Sequence, residues 1–168
     1  MRVVFMGTPE FAVPSLNMLI KEGYDVVGVV TQTDKPKGRG EKMCCPPVKD
    51  FAVSHSLNIL QPKSVKTQEY LEQLKALKPD VVITAAYGKI LPPAVLDVPK
   101  YGTVNVHASL LPELRGAAPI HHALINGFAT TGVTTMLTDP GMDTGDILLK
   151  ESIDIDESVN VGQLHDIL

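Results

Sequence analysis

The stretch Thr103-Val-Asn-Val-His107 alternates polar and apolar residues at the period of a β-strand, so Asn105 and His107 project from one face and Val104 and Val106 from the other. An amide that can donate to an oxygen thus stands beside an imidazole that changes charge near neutral pH. Burying such groups in a central strand is unfavourable unless each finds a hydrogen-bond partner. Two readings follow: a hydrogen-bonded structural pair, or a pair that serves a bound molecule. Position favours the second, because open α/β sheets bind ligands beyond the carboxyl ends of their strands, and these residues close the strand just before Ala108. A carboxylate that could join them lies in the Gly-rich run Thr138-Asp-Pro-Gly-Met-Asp-Thr-Gly-Asp146. There Asp139, beside Pro140-Gly141, has the pattern of an ordinary turn aspartate. Asp143 reads either as a solvated turn residue or as a partner of His107.

The elements that must position these groups follow from hydrophobic patterning. Short apolar, β-branched runs alternate with longer amphipathic segments, the pattern of parallel strands joined by crossover helices. Strands are expected at Arg2–Met6, Asp25–Thr31, Asn58–Leu60, Val81–Ala85, Thr103–His107, Gly132–Leu137 and Ile147–Ile153. The nearly unbroken apolar runs Val26–Val30 and Val81–Ile83 suit sheet positions covered on both faces. Helices are expected from about Phe11 to Glu22, with Pro14 in the first turn, and at Val48–His55, Thr67–Leu77 and Pro119–Asn126. The fold class is therefore α/β: a Rossmann-like, doubly wound, mostly parallel sheet with an antiparallel last strand. A right-handed crossover through Pro119–Asn126 would lay Gly132–Leu137 parallel to Thr103–His107. The turn 138–146 is too short for another crossover, so Ile147–Ile153 should return antiparallel and leave Asp143 at the edge where His107 ends.

Composition bounds the remainder. The 168 residues, 44% hydrophobic, have the size of one globular domain, and a formal charge of −4 gives no global attraction for polyanions. Cys44 and Cys45, the two cysteines, make neither a disulfide framework nor metal-ligand spacing, and His121-His122 at a helix start read as solvated or capping residues. No metal is expected. The first apolar run is far too short for a signal segment or membrane span, and a cytoplasmic protein without membrane partners is expected. One segment is locally basic: 32–47 carries Lys35, Lys37, Arg39 and Lys42 among glycines and prolines, and reads as a long loop. The final Ser158–Leu168 reads as a helix that stops without a cap, as a truncation would leave it.

Asn105-Val-His107-Ala-Ser-Leu-Leu-Pro112, then Arg115-Gly-Ala-Ala-Pro-Ile120 and Gly141-Met-Asp-Thr-Gly-Asp-Ile147, resemble the signature of the folate-dependent formyltransferases. In that family an Asn–His–Asp set is catalytic, which implies this role for Asn105, His107 and Asp143. The opening Phe5-Met-Gly-Thr-Pro-Glu-Phe-Ala-Val-Pro14 and Lys37-Gly-Arg-Gly40 are more specifically similar to members that formylate initiator methionyl-tRNA. The resemblance implies that residues 1–168 are the N-terminal catalytic domain of a monomeric enzyme whose C-terminal β-barrel binds tRNA. Its formyl donor would be 10-formyltetrahydrofolate. Asn105 and protonated His107 would meet the negative charge developing on the formyl oxygen, and Asp143 would favour the charged imidazole and take the proton leaving the attacking nitrogen.

By the same resemblance the pteridine ring would enter a cleft lined by Tyr87, Gly88, Ile90 and Leu91 and by backbone around Asp139 and Met142. Ser109, Leu110, Leu111 and Pro112 would shape the acceptor side, and Arg39 would contact the acceptor nucleic acid. Ile90, Leu91, Leu110 and Leu111 read also as core residues, and a charged loop is more often simply solvated. Members acting on sugar nucleotides or glycinamide ribonucleotide, and those hydrolysing the formylated folate, are the competing activities. A non-catalytic nucleotide-binding module is disfavoured, because Gly7-Thr-Pro-Glu10 has one glycine where the dinucleotide fingerprint has several.

Overall fold

The computed structural model describes residues 1–37 and 42–168, and these form two units, Met1–Thr103 and Val104–Leu168. The first holds strands β1 (Arg2–Gly7), β2 (Asp25–Val30), β3 (Lys35–Lys37), β4 (Lys42–Cys44), β5 (Ile59–Leu60) and β6 (Val81–Ala85), with helices α1 (Val13–Lys21), α2 (Pro47–Ser54), α3 (Gln68–Ala76) and α4 (Pro93–Leu96). β5, β2, β1 and β6 lie side by side in that order, all parallel.

Alternation along β1 divides its apolar residues between two faces. Val4, Met6 and Val82 pack with Tyr70 and Leu74 of α3 and Val95 of α4 in one buried cluster. Val3 and Phe5 face the other way and are equally buried. On that second side Gly7 lets α1's approach come close: a Cβ on it would fall 2.7 Å from the Cβ of Ala12. Helices therefore cover both faces, as expected of a doubly wound sheet. Each fully buried aliphatic side chain here contributes about 1.5–3 kcal/mol. An exposed pair such as Arg2–Asp25, 3.3 Å apart, belongs to a class contributing roughly 0–1 kcal/mol, so the apolar layers carry this unit.

Local departures from the sequence expectation have local causes. A short 3-10 turn, Glu10–Ala12, precedes α1, which places Pro14 in the helix's first turn, where its missing N–H costs nothing. Thr67 caps α3 by accepting from the backbone of Tyr70 at 3.3 Å. The segment 32–47 is not a plain loop: β3 and β4 pair antiparallel, Lys35 with Cys44 and Lys37 with Lys42. Lysines and Pro36 mask the strand signal there. Arg39 lies outside the described residues.

The second unit contains β7 (Thr103–His107), α5 (Pro119–Ile125), β8 (Thr130–Leu137), β9 (Ile147–Asp154) and α6 (Val161–Ile167). Here the expected topology needs correction. β8 runs antiparallel to β7, with Val104 opposite Leu137 and His107 opposite Thr134. The seven residues of α5 span about 10 Å of helix axis, too little to carry the chain back along a five-residue strand of roughly 17 Å. The chain turns back from the end it has reached. β9 then returns antiparallel to β8, as expected. α6 begins at a capping box in which Asn160 accepts from Gln163 N at 3.0 Å and Gln163 Oε1 accepts from Asn160 N at 2.9 Å.

Candidate active site

β7 supplies Asn105 and His107 on one face, and the turn after β8 reaches that face. Asp143 Oδ2 lies 3.7 Å from His107 Nδ1, and Oδ1 accepts from Asn105 Nδ2 at 3.5 Å. The His107 side chain is 8% exposed and that of Asp143 17%, so charge on either is poorly screened by water. The other imidazole nitrogen, Nε2, meets the backbone carbonyl of Leu114 at 3.0 Å. A carbonyl can only accept, so Nε2 carries a proton. The neutral ring then presents a bare Nδ1 on the side of Asp143, where the imidazolium carries a second N–H that is not taken up by a hydrogen bond at 3.7 Å.

Backbone requirements explain how the turn gets there. Asp139 is consumed by its own turn: its carboxylate accepts from Gly141 N at 3.0 Å and from Thr144 Oγ1 at 2.8 Å, the role its sequence context suggested. Gly145 is obligatory, since a Cβ would sit 1.9 Å from the Leu137 carbonyl oxygen. Asp143 itself adopts φ 53°, a left-handed conformation that aspartate takes up in turns more readily than most non-glycine residues. Its Oδ2 is anchored by the backbone N–H of Gly116 at 2.9 Å.

Leu114 and Gly116 are thus part of the site, and residue-type reasoning missed both. Each acts through its main chain, which every sequence possesses. Gly116, at φ 89°, leaves the faint trace of a glycine in the Arg115–Ile120 run.

Of the acceptor-side residues, Ser109 and Leu111 are buried, Leu110 is half-buried and Pro112 is exposed. Met142 is 63% exposed, and its sulfur would lie 3.4 Å from a Cβ on Gly116. In the first unit, Tyr87 and Leu91 belong to the core cluster, whereas Ile90 is 74% exposed. The Tyr87 carbonyl is locked by Thr8 Oγ1 at 3.0 Å and Gln32 Nε2 at 2.9 Å, and Gly88 adopts φ 80°. An open groove in this unit is lined by Thr8, Gln32, Lys35, Cys45, Pro46 and Asp50. The Cys45 thiol is pushed up, first by its hydrogen bond to Asp50 and then by burial, which disfavours the nucleophilic thiolate. Among the described residues no three His, Cys, Asp or Glu side chains gather as a metal site, and no helix is long and apolar enough to cross a membrane.

The sequence matches the formyl transferase family model over residues 1–168. Methionyl-tRNA formyltransferase of Acetivibrio thermocellus is 61% identical over 166 residues, 99% of this chain and 53% of that protein. The enzyme of the same name from Bacillus subtilis is 55% identical over 165 residues, 98% of this chain and 52% of the relative. The chain thus spans about half the length of the curated relatives it matches. Phosphoribosylglycinamide formyltransferase from Bacillus halodurans superposes with a TM-score of 0.79 at 26% identity, covering 99% of this chain and 87% of that one. A formyltetrahydrofolate deformylase from Pseudomonas syringae, at 21% identity, shares the fold with a TM-score of 0.77, covering 99% of this chain and 55% of its own.

Proposed function

This chain belongs to the formyl transferase family, and from that membership we propose that it carries the catalytic site of an enzyme that moves the formyl group of 10-formyltetrahydrofolate onto the amino group of initiator methionyl-tRNA. The observation that carries the chemistry is the meeting of His107, Asn105 and Asp143 on one strand face. The amino nitrogen bonds to the formyl carbon, the bond from that carbon to the folate nitrogen breaks, and negative charge passes through the formyl oxygen. Asn105 Nδ2 and an imidazolium at His107 are donors suited to that oxygen, each worth roughly 3–4 kcal/mol when preorganised. Asp143, held by Gly116, steadies the positive ring and accepts the proton that leaves the attacking nitrogen, directly or through water. One buried and one half-buried donor with a carboxylate suffice without a covalent enzyme intermediate.

The formylated folate is a cosubstrate, and the residues present are compatible with its ring. Ile90 and Met142 are each large apolar side chains left open to solvent, and each lies next to backbone in a glycine-containing turn, Gly88 in one case and Gly141 in the other. A flat heteroaromatic ring with many donors and acceptors binds by such combinations of apolar contact and main-chain hydrogen bonding. By the family resemblance we assign a backbone role towards that ring to Tyr87, Gly88 and Leu91 within the first unit and to Asp139 within the second, and the border of the acceptor to Ser109, Leu110, Leu111 and Pro112.

For the acceptor, the support is the identity of 51–61% to proteins named methionyl-tRNA formyltransferase together with the basic segment. Lys35 lines a groove of the first unit, and the sequence of the same segment carries Lys37, Arg39 and Lys42, residue types suited to phosphates of an acceptor stem. From the family resemblance, we propose that a C-terminal β-barrel domain shares in docking the tRNA. The test is a competition in which methionyl-tRNA, glycinamide ribonucleotide and water are offered to the purified protein with 10-formyltetrahydrofolate. Formyl-methionyl-tRNA should be the main product, and Arg39→Ala should raise KM for tRNA while folate binding stays the same. Preferential formylation of the ribonucleotide, or hydrolysis alone, would overturn the acceptor assignment.

A further inference from the structure

His107, Thr134 and Lys150 stand opposite one another on three neighbouring strands, His107 with Thr134 across β7 and β8 and Thr134 with Lys150 across β8 and β9. Directly opposed residues of antiparallel strands share a face, so the three form one row, with the segment 109–114 folded over it. The Thr134 hydroxyl, fully buried, donates to Ser109 O at 2.6 Å and accepts from Leu111 N at 3.1 Å. Lys150 Nζ donates to the carbonyl of the same Leu111. Leu111 therefore has both its main-chain groups held by side chains of the row.

The tie continues toward the imidazole. Ser109 Oγ donates to Glu113 O at 2.6 Å, and Glu113 N donates to Leu110 O at 3.1 Å. This tight turn delivers the next residue, Leu114, at φ 55°, with its carbonyl on His107 Nε2 at 3.0 Å. A leucine adopts that left-handed conformation only where its surroundings compel it. Two residues on, Gly116 holds Asp143. One short segment thus fixes both partners of the imidazole, and its anchors lie on β8 and β9.

We propose that Thr134 and Lys150 are positioning residues for the reaction: they hold the 109–114 segment so that the Leu114 carbonyl and the Gly116-anchored carboxylate orient and polarise His107. Neither touches the reacting atoms. The proposal rests on the catalytic reading of His107 given above. Thr134→Val keeps shape but removes both hydrogen bonds, leaving a buried Leu111 N–H unsatisfied, while Thr134→Ser retains them. Lys150→Met keeps the aliphatic stem and removes the donor, whereas Lys150→Arg restores one.

The decisive measurement is the division between kcat and KM in formyl transfer, read beside thermal stability and the solvent exchange of the His107 Nε2 proton by NMR. Misplacement of a catalytic group by a fraction of an ångström to 1 Å costs on the order of 10- to 100-fold. Thr134→Val is therefore expected to lower kcat by about tenfold or more, with KM for the formyl donor within about threefold, and to speed exchange of the Nε2 proton. Thr134→Ser should recover kcat to within about threefold, and Lys150→Met should follow Thr134→Val at smaller amplitude, with Lys150→Arg restoring it. Folded Thr134→Val and Lys150→Met proteins with wild-type kcat and an unchanged Nε2 exchange rate would overturn the proposal. Should Thr134→Val fail to fold, the solvent-exposed Lys150 substitution decides alone. Accelerated Nε2 exchange without formyl transfer in any protein, wild type included, would uphold the clamp and sink the catalytic reading instead.

Discussion

Asp143 reaches His107 across the face of β7, its Oδ2 lying 3.7 Å from Nδ1 while accepting the Gly116 N–H at 2.9 Å. At 3.7 Å the carboxylate acts on the ring through charge rather than through a short hydrogen bond. Its position is set by Gly116 on one side and by the turn glycines on the other.

From that arrangement, His107→Ala and Asp143→Ala are each expected to lower formyl transfer by at least about a hundredfold without unfolding the protein. Asp143→Asn keeps an acceptor for Gly116 but removes the charge, so it should resemble Asp143→Ala in kcat and the wild type in thermal stability. Steady-state kinetics beside circular dichroism would check this. Turnover near the wild-type rate in either alanine variant would remove that residue from the mechanism.

Gly145→Ala tests how the turn is built. The added Cβ would fall 1.9 Å from the Leu137 carbonyl oxygen, a main-chain atom within β8 that cannot move aside cheaply. Overpacking of this kind costs typically about 1–3 kcal/mol. The turn carrying Asp143 should shift, with a lowered melting temperature and a loss of kcat exceeding the loss of folded protein. An unchanged kcat would show that the turn tolerates rerouting.

Asp34 gives a pH-dependent prediction in the first unit. Its carboxyl is held below the ordinary value of 3.8, chiefly by the Gln61 amide and then by Lys49, whose ammonium lies 2.7 Å away. A folded-state value below the unfolded one means stability that is present above about pH 3.8 and lost as pH falls through the folded-state value. Lys49 is shifted upward by the same contact, so its share is present below its ordinary range and lost at strongly alkaline pH. Wild type should exceed Asp34→Asn in melting temperature at neutral pH, and the gap should close on acidification below pH 4. A constant gap between pH 7 and pH 2 would contradict the assignment.

Tyr87 contributes a buried phenol whose oxygen meets no hydrogen-bond partner among the described residues. Burial pushes its pKa up to about 12. Because the folded state holds the proton more tightly, this group's contribution is intact below about pH 10 and is lost as pH rises toward 12. Tyr87→Phe removes the unsatisfied hydroxyl and should leave stability equal or raise it by up to about 1 kcal/mol, while flattening the alkaline limb of the unfolding curve. Marked destabilisation would reveal a partner for the hydroxyl.

Much of this was legible beforehand because burial and backbone period leave their mark on residue type. Val3–Met6, Val26–Val30 and Val81–Ala85 announced strands, and Thr103–His107 announced which of its residues share a face. The direction of β8 was not legible, since hydrophobic pattern carries no sign along the chain and does not say whether the turns flanking a short helix extend its reach. The β3–β4 pair was hidden by lysines and Pro36, whose types argue for a loop. Tyr87 and Leu91 went to the core while Ile90 stayed exposed, a distribution set by the turn through Ala86 and Gly88, both at positive φ.

The sequence by itself determined the α/β class, the family and the placing of Asn105 and His107 on one strand face, because those properties depend on which side chains are present and how they are spaced. Only the tertiary structure decided that Asp143 arrives over the face of β7, that Leu114 and Gly116 hold the imidazole and its carboxylate through main-chain atoms, and that Thr134 and Lys150 lie in line with His107. Main-chain hydrogen bonding and cross-strand register have no residue-type signature: every residue carries the same amide, and which amide meets which side chain is settled only when the strands pair.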